Sequence, residues 1–233
     1  MSKQQICPDG PVNSSLLDLL NQGLFQLGIK CTPQYEEKVL IYIEELTGCS
    51  KKINLTSIKA PEDIIVKHFL DSLVCLKDIK LDKEKKPKVL DIGTGAGFPG
   101  LPLKIFYQDI SVSLMEATGK KVRFLEELLK KLNINDVLIL HGRAEELSKK
   151  ENLQEKFDIV VVRAVGELKL LAKISFPFLK RGGCLLALKG VTIDEEIIRS
   201  EKDLRKMNGV IEKIDNYELI TGKKGKLVKI HKC

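Results

Sequence analysis

Nowhere in the 233 residues does an apolar run approach the ~20 residues that a membrane-crossing helix needs. The opening stretch, MSKQQICPDGPVNSS, lacks the continuous apolar core of a secretory signal. Cysteine is sparse and unpatterned: positions 7, 31, 49, 75, 184 and 233 leave wide, irregular gaps, with no CxxC pair. That spacing argues against a zinc cluster or a thioredoxin-type redox site, and suits small apolar residues in a reducing compartment. There is no internal repeat and no low-complexity tract. Membrane, secreted and fibrous classes are therefore set aside, and a cytoplasmic globular protein is expected. Nothing in the pattern asks for an obligate interface, so the expectation is a monomer.

What is present is an ordinary globular mixture, 43% hydrophobic and 30% charged, with a formal net charge of +7. The charge is unevenly spread. Residues 1–87 are neutral, and residues 88–233 carry the whole excess. The last twelve residues hold Lys223, Lys224, Lys226, Lys229 and Lys232 without an acid. A polyanionic partner such as nucleic acid fits this distribution, as does a merely soluble basic surface.

The pattern changes at the charged, proline-containing joint KEKKPK over 83–88, which reads as a boundary between a helical region, 1–87, and a second domain, 88–233. Before the joint only helices are predicted. One is capped by Ser14/Ser15, a second opens at Thr32-Pro33 and stops at Gly48, and a third opens at Pro61. After the joint, β-branched runs at 88–92, 111–116, 137–140, 157–162, 184–188, 210–219 and 226–231 are separated mostly by helical patterns near 100–108, 119–132, 166–180 and 193–207. This alternation predicts an α/β fold with a mostly parallel sheet covered on both faces. The last two strands are joined too tightly for a crossover, so an antiparallel hairpin is expected at one edge.

In such a sheet, ligands sit beyond the carboxyl ends of the strands. After the first strand comes Asp91-Ile-Gly-Thr-Gly-Ala-Gly-Phe-Pro-Gly, where Gly93, Gly95 and Gly97 allow a tight turn and the next helix points its N-terminus at a ligand. Glu116, after the second strand, can accept two ribose hydroxyls. Gly142-Arg143-Ala144-Glu145 follows the third strand, Arg163-Ala164-Val165 the fourth and Lys189-Gly190 the fifth. Glycine loops of this kind serve dinucleotides as well as S-adenosylmethionine (SAM). Here Phe98 stands where the dinucleotide fingerprint wants its third glycine, which, with the edge hairpin, favours SAM.

These segments, VLDIGTGAGFPGLPL, LMEATGKKVRFLEEL, GRAEEL, VVVRAVG and LLALKG, together with Asn54-Leu-Thr and His68-Phe-Leu-Asp-Ser-Leu upstream, resemble the bacterial 16S rRNA guanine-N7 methyltransferase family (RsmG, GidB). The resemblance runs from about residue 53 to residue 190. It implies a Rossmann-like class I SAM-dependent methyltransferase that modifies 16S rRNA, free or in the small ribosomal subunit, with SAM as cofactor. Matched position by position, it implies cofactor contacts at Gly93, Phe98, Glu116, Ala117, Thr118, Ala144, Glu145 and Arg163, with Arg163 as the catalytic residue and no metal. One departure is Glu116, where many members carry aspartate; the longer side chain still reaches a ribose.

Guanine N7 bears a lone pair and no proton, so the chemistry calls for in-line positioning rather than a base. On that ground His68 and Asp71, three apart on one helical face, read as a docking or structural pair. Asn54 is a loop residue of open role. Lys189 and the Lys120/Lys121/Arg123 group are candidate phosphate contacts, the latter equally well a solvated face. Rival readings are a small-molecule methyltransferase, an NAD-dependent oxidoreductase, and an RNA-binding module without turnover.

Overall fold

The computed structural model describes residues 11–53, 55–79, 86–163 and 166–233. Asn54, Ala164, Val165, Cys7 and the first part of the joint lie outside the described residues.

Seven strands form one sheet in the order β3-β2-β1-β4-β5-β7-β6. They are β1 (Lys88–Ile92), β2 (Ser111–Glu116), β3 (Val137–His141), β4 (Phe157–Arg163), β5 (Leu179–Lys189), β6 (Gly209–Glu218) and β7 (Lys224–Lys232). The first five run parallel, and β7 is antiparallel to both β5 and β6. The expected edge hairpin is therefore present, with its second strand inserted against β5 and its first at the rim. β1 and β2 match their predicted bounds. β5 begins at Leu179 rather than Cys184, because Gly182, at positive φ, lets the chain turn out of register and resume pairing with β4 at Cys184.

The strand period of two sorts apolar residues onto two faces. Val89, Val112, Leu114, Ile159, Val161 and Leu186 point into one cluster; Leu90, Met115, Val160, Val162, Leu185 and Ala187 point into the other. The second face is covered by α7 (Ala144–Leu147), α8 (Leu168–Ser175) and α9 (Asp194–Lys206). The helix expected over 166–180 is confined to α8, and α7 is too short to leave a periodic signal.

The first face is covered by α5 (Gly100–Phe106), α6 (Gly119–Lys131) and the N-terminal helices. α1 (Pro11–Gln26) already includes Ser14 and Ser15, so the pair lies within the helix rather than at its cap. α2 (Pro33–Ile53) continues through Gly48, whose position leaves open space around it. The third helical segment is continuous but uneven: α3 (Pro61–Ile64), a π stretch (Ile65–Leu70), α4 (Asp71–Leu73) and a 3-10 turn (Val74–Asp78). The Asp71 N–H reaches back to Val66 as well as His68, the wide turn of a π-bulge. Leu16, Leu20, Leu24, Tyr42, Leu46, Phe69 and Leu73 of these helices share one buried cluster with the sheet. Among the described residues no helix is long and apolar enough to cross a membrane.

Candidate active site

The carboxyl ends of β3, β2 and β1 bring together three short loops. The N–H groups of Gly93 and Thr94 both donate to the Met115 carbonyl, tying the glycine loop to β2. Gly93, Gly95 and Gly97 all have positive φ, so the turn uses the freedom glycine alone supplies cheaply. Gly97 is also pinned by space. A β-carbon there would lie 2.3 Å from the Tyr42 hydroxyl, which itself donates to the Ala96 carbonyl at 2.6 Å.

Glu116 is 6% exposed and already oriented. One carboxylate oxygen accepts the Gly95 N–H at 3.0 Å, the other the Thr118 N–H at 2.8 Å. Two charge-assisted bonds hold the group at the junction of the loops, with lone pairs to spare for hydroxyl donors. Ala117 and Thr118 are exposed beside it. The Gly142 N–H donates to the Glu116 carbonyl, which brings the third loop alongside; there Ala144 is buried at the start of α7 and Glu145 is exposed. Seven of the eight predicted cofactor positions thus line adjoining loops or their backing, and Arg163 stands at the end of the neighbouring β4. The set fits a nucleoside-bearing group: an oriented carboxylate for a ribose and a glycine turn for close approach.

One expectation changes. The first amide of α5 does not face a ligand, because Asp91 Oδ2 accepts the Gly100 N–H at 2.7 Å and the Thr94 hydroxyl at 2.5 Å. Asp91 is wholly buried, its Oδ1 has no hydrogen-bond partner among the described residues, and burial lifts its pKa to about 6.

Phe98 is 3% exposed and forms the back of the glycine loop. Its ring stacks on Tyr42 at 4.9 Å and on His68 at 4.7 Å, and the Arg163 guanidinium lies 5.1 Å above it. Behind this wall, past the ends of β4 and β5, opens a cavity of about 550 Å³ lined by Lys67, His68, Asp71, Arg163, Lys189, Tyr217 and Lys223, among others. Arg163 donates to the Lys67 carbonyl at 3.0 Å and lies 3.8 Å from Asp71 Oδ2. Burial pulls its pKa down, while Asp71 and Asp91 oppose the shift. Lys189 is held by Glu196 and the Gly166 carbonyl, each at 2.8 Å.

His68 and Asp71 share this wall without bonding each other. His68 Nε2 shares a hydrogen bond with the Thr56 hydroxyl at 2.9 Å, and burial, reinforced by Arg163, lowers its pKa to about 3. The ring is neutral at physiological pH. Asp71 Oδ1 accepts from the Tyr217 hydroxyl at 2.7 Å and from Lys223 at 2.8 Å. Nothing in the sequence marks Tyr42 or Tyr217 for the site, and Lys223 is marked only as one of the C-terminal lysines; Tyr217 and Lys223 meet Asp71 only through the fold. Lys120 and Arg123 lie exposed on α6, with Lys121 half-buried.

Residues 35–219 match the GidB family, described as rRNA small subunit methyltransferase G. This chain belongs to that family. The enzyme is 38% identical over 203 residues to the ribosomal RNA small subunit methyltransferase G of Thermoanaerobacter sp. (strain X514), covering 87% of this chain and 84% of that one. It is 42% identical over 178 residues to the protein of the same name from Desulforamulus reducens, covering 76% and 73%. The fold is that of class I SAM-dependent methyltransferases. A SAM-dependent methyltransferase from Aquifex aeolicus superposes with a TM-score of 0.56 at 20% identity, over 77% of this chain and 97% of that one. M. jannaschii TYW2 in complex with AdoMet gives 0.52 at 16% identity, over 68% and 80%. The enzyme is thus a SAM-dependent methyltransferase, and the oxidoreductase reading falls away.

Proposed function

We propose that the enzyme transfers a methyl group from SAM to N7 of one guanine in 16S rRNA. The observation that carries this reading is the continuity of two different sites along one edge of the sheet. Loops suited to a nucleoside occupy the β3-β2-β1 side, and a cavity bearing Lys67, Arg163, Lys189 and Lys223 adjoins them on the β4-β5 side. Small-molecule methyltransferases need the first but not a cation-rich second, whereas polynucleotide phosphates reward it.

In this reading Gly93, Phe98, Glu116, Ala117, Thr118, Ala144, Glu145 and Arg163 hold SAM, which supplies an electrophilic methyl on a sulfonium. Glu116 takes the ribose hydroxyls with the oxygen lone pairs that Gly95 and Thr118 leave over. Arg163, fixed by the Lys67 carbonyl and by Asp71, stands between the two sites and orients the base. No side chain need remove a proton, since N7 carries none, and neutral His68 acts by packing. Orientation of the pair is then the main source of rate. A single chain supplies both sites, which favours action as a monomer. Among the described residues Cys31, Cys49, Cys75, Cys184 and Cys233 form no disulfide, which suits the cytoplasm, where the substrate is found.

The test is radiolabelled methyl transfer from SAM to 16S rRNA and to small subunits. Wild type is expected to label one guanine and Arg163→Ala to lose about 100-fold in rate, with RNA affinity falling steeply as salt rises. Full activity of Arg163→Ala removes that residue from the site, and a flat salt response removes the phosphate contacts.

A further inference from the structure

The cavity beside Arg163 has a polar inner corner that SAM binding does not use. It forms where the third helical segment meets the β6–β7 turn. Asp71 supplies a buried carboxylate there, and its two oxygens are unequally occupied. Oδ1 carries both the Tyr217 hydroxyl and the Lys223 ammonium. Oδ2 has Arg163 at 3.8 Å, too far for a hydrogen bond. A carboxylate that lines a cavity, with one oxygen that no described residue hydrogen-bonds, is an acceptor open to incoming donors.

Lys223 stands beside it as a donor, and burial together with Asp71 keeps the Tyr217 phenol well above its usual pKa, hence protonated. The corner therefore offers an acceptor next to a cationic donor. Guanine presents the complement on its Watson–Crick edge: O6 accepts, and the adjacent N1–H and 2-amino group donate. Adenine presents the reverse, an N6 donor beside an N1 acceptor. The cavity, at about 550 Å³, falls within the ~300–1,000 Å³ typical of small-ligand sites.

Resting on the methyl-transfer reading above, we infer that Asp71 and Lys223 read the Watson–Crick edge of an unstacked guanine. Asp71 Oδ2 accepts from N1–H and the 2-amino group, and Lys223 donates to O6. The edge so held faces the β6–β7 turn, so N7, on the other side of O6, turns toward β4 and the glycine loop. An enzyme acting on a base in folded RNA must take that base out of its stack, and it then identifies the base by this edge. The Asp71–Lys223–Tyr217 group thus selects the base that Arg163 and the cofactor loops position.

The experiment uses small subunits reconstituted from 16S rRNA carrying either guanosine or inosine at the methylated position. Inosine keeps N1–H, O6 and N7 and lacks only the 2-amino group. With wild type, kcat/KM is expected to fall about tenfold or more on inosine, the effect of one hydrogen bond to a charged acceptor. Asp71→Asn is expected to slow methylation of guanosine while shrinking the guanosine-to-inosine ratio below about threefold. SAM affinity, measured by calorimetry, serves as the fold check. Equal wild-type rates on the two substrates overturn the inference, and need no variant. So does an Asp71→Asn enzyme that is slower on both but keeps the wild-type ratio, which would make Asp71 a brace for Arg163 only. Failure of wild type to methylate the guanosine subunit overturns the methyl-transfer reading instead.

Discussion

The two halves of the sheet's carboxyl edge are built by different means. On the β3-β2-β1 side the site is mostly backbone: glycine turns, amides that fix the Glu116 carboxylate, and a carbonyl that draws in Gly142. Every part follows directly on its own strand. On the β4-β5-β7 side the site is mostly side chain, and its members come from remote places. Asp71 and Tyr217 meet across 146 residues. A backbone site is specified by local conformation and tolerates little change in residue size. A side-chain site is specified by docking and answers to charge.

The sharpest way to separate the halves is Glu116→Ala. It removes the expected ribose acceptor and strands the amides of Gly95 and Thr118. SAM affinity by calorimetry is expected to fall about 100-fold, two charge-assisted bonds at ~1.5 kcal/mol each, with RNA affinity unchanged. An equal loss of both would mean the halves are not separable. Next comes Gly97→Ala, which tests size. The added methyl meets the Tyr42 hydroxyl and demands φ of +105°, so a loss of about 2–3 kcal/mol in stability is expected by denaturant unfolding.

The smallest effect tests charge through pH. The His68 pKa, depressed to about 3, means that its contribution is present above about 6.5 and lost as pH falls. Between pH 7 and pH 5 that loss is about 2 kcal/mol. Asp91, raised to about 6, has the opposite sign: its contribution is present below about 4 and lost as pH rises through 6. Over the same interval it returns about 1 kcal/mol on acidification. Wild type should therefore lose little between pH 7 and 5, and His68→Gln should instead gain stability on acidification. An unchanged slope in His68→Gln would refute the assignment.

The first half was largely legible in the sequence for the reason just given. Strands β1 and β2 match their predicted bounds because both are buried runs closed by turn residues; Gly93 follows β1 directly and Glu116 is the last residue of β2. The second half was not. Arg163 and Lys189 could be placed by strand order, but Lys223 lay in a run of lysines with nothing to distinguish it, and Tyr217 read as one residue of an edge strand. Asp71 was visible only as half of a helical pair, because the π stretch that turns it toward the hairpin leaves no periodic mark. The first part of β5 differs for a simpler reason: the helical pattern over 166–180 covers its opening residues, and Gly182 at positive φ interrupts the run before Cys184.

Phe98 joins the helical part of the chain to the sheet. Its ring belongs to the glycine loop, yet both of its stacked neighbours, Tyr42 and His68, come from the N-terminal helices. A chain trimmed to begin at Lys88 would keep all eight residues expected to hold SAM and still lack the backrest of its glycine turn. The N-terminal helices are thus part of the wall behind that turn, and grafting schemes that swap them will have to carry those two rings along.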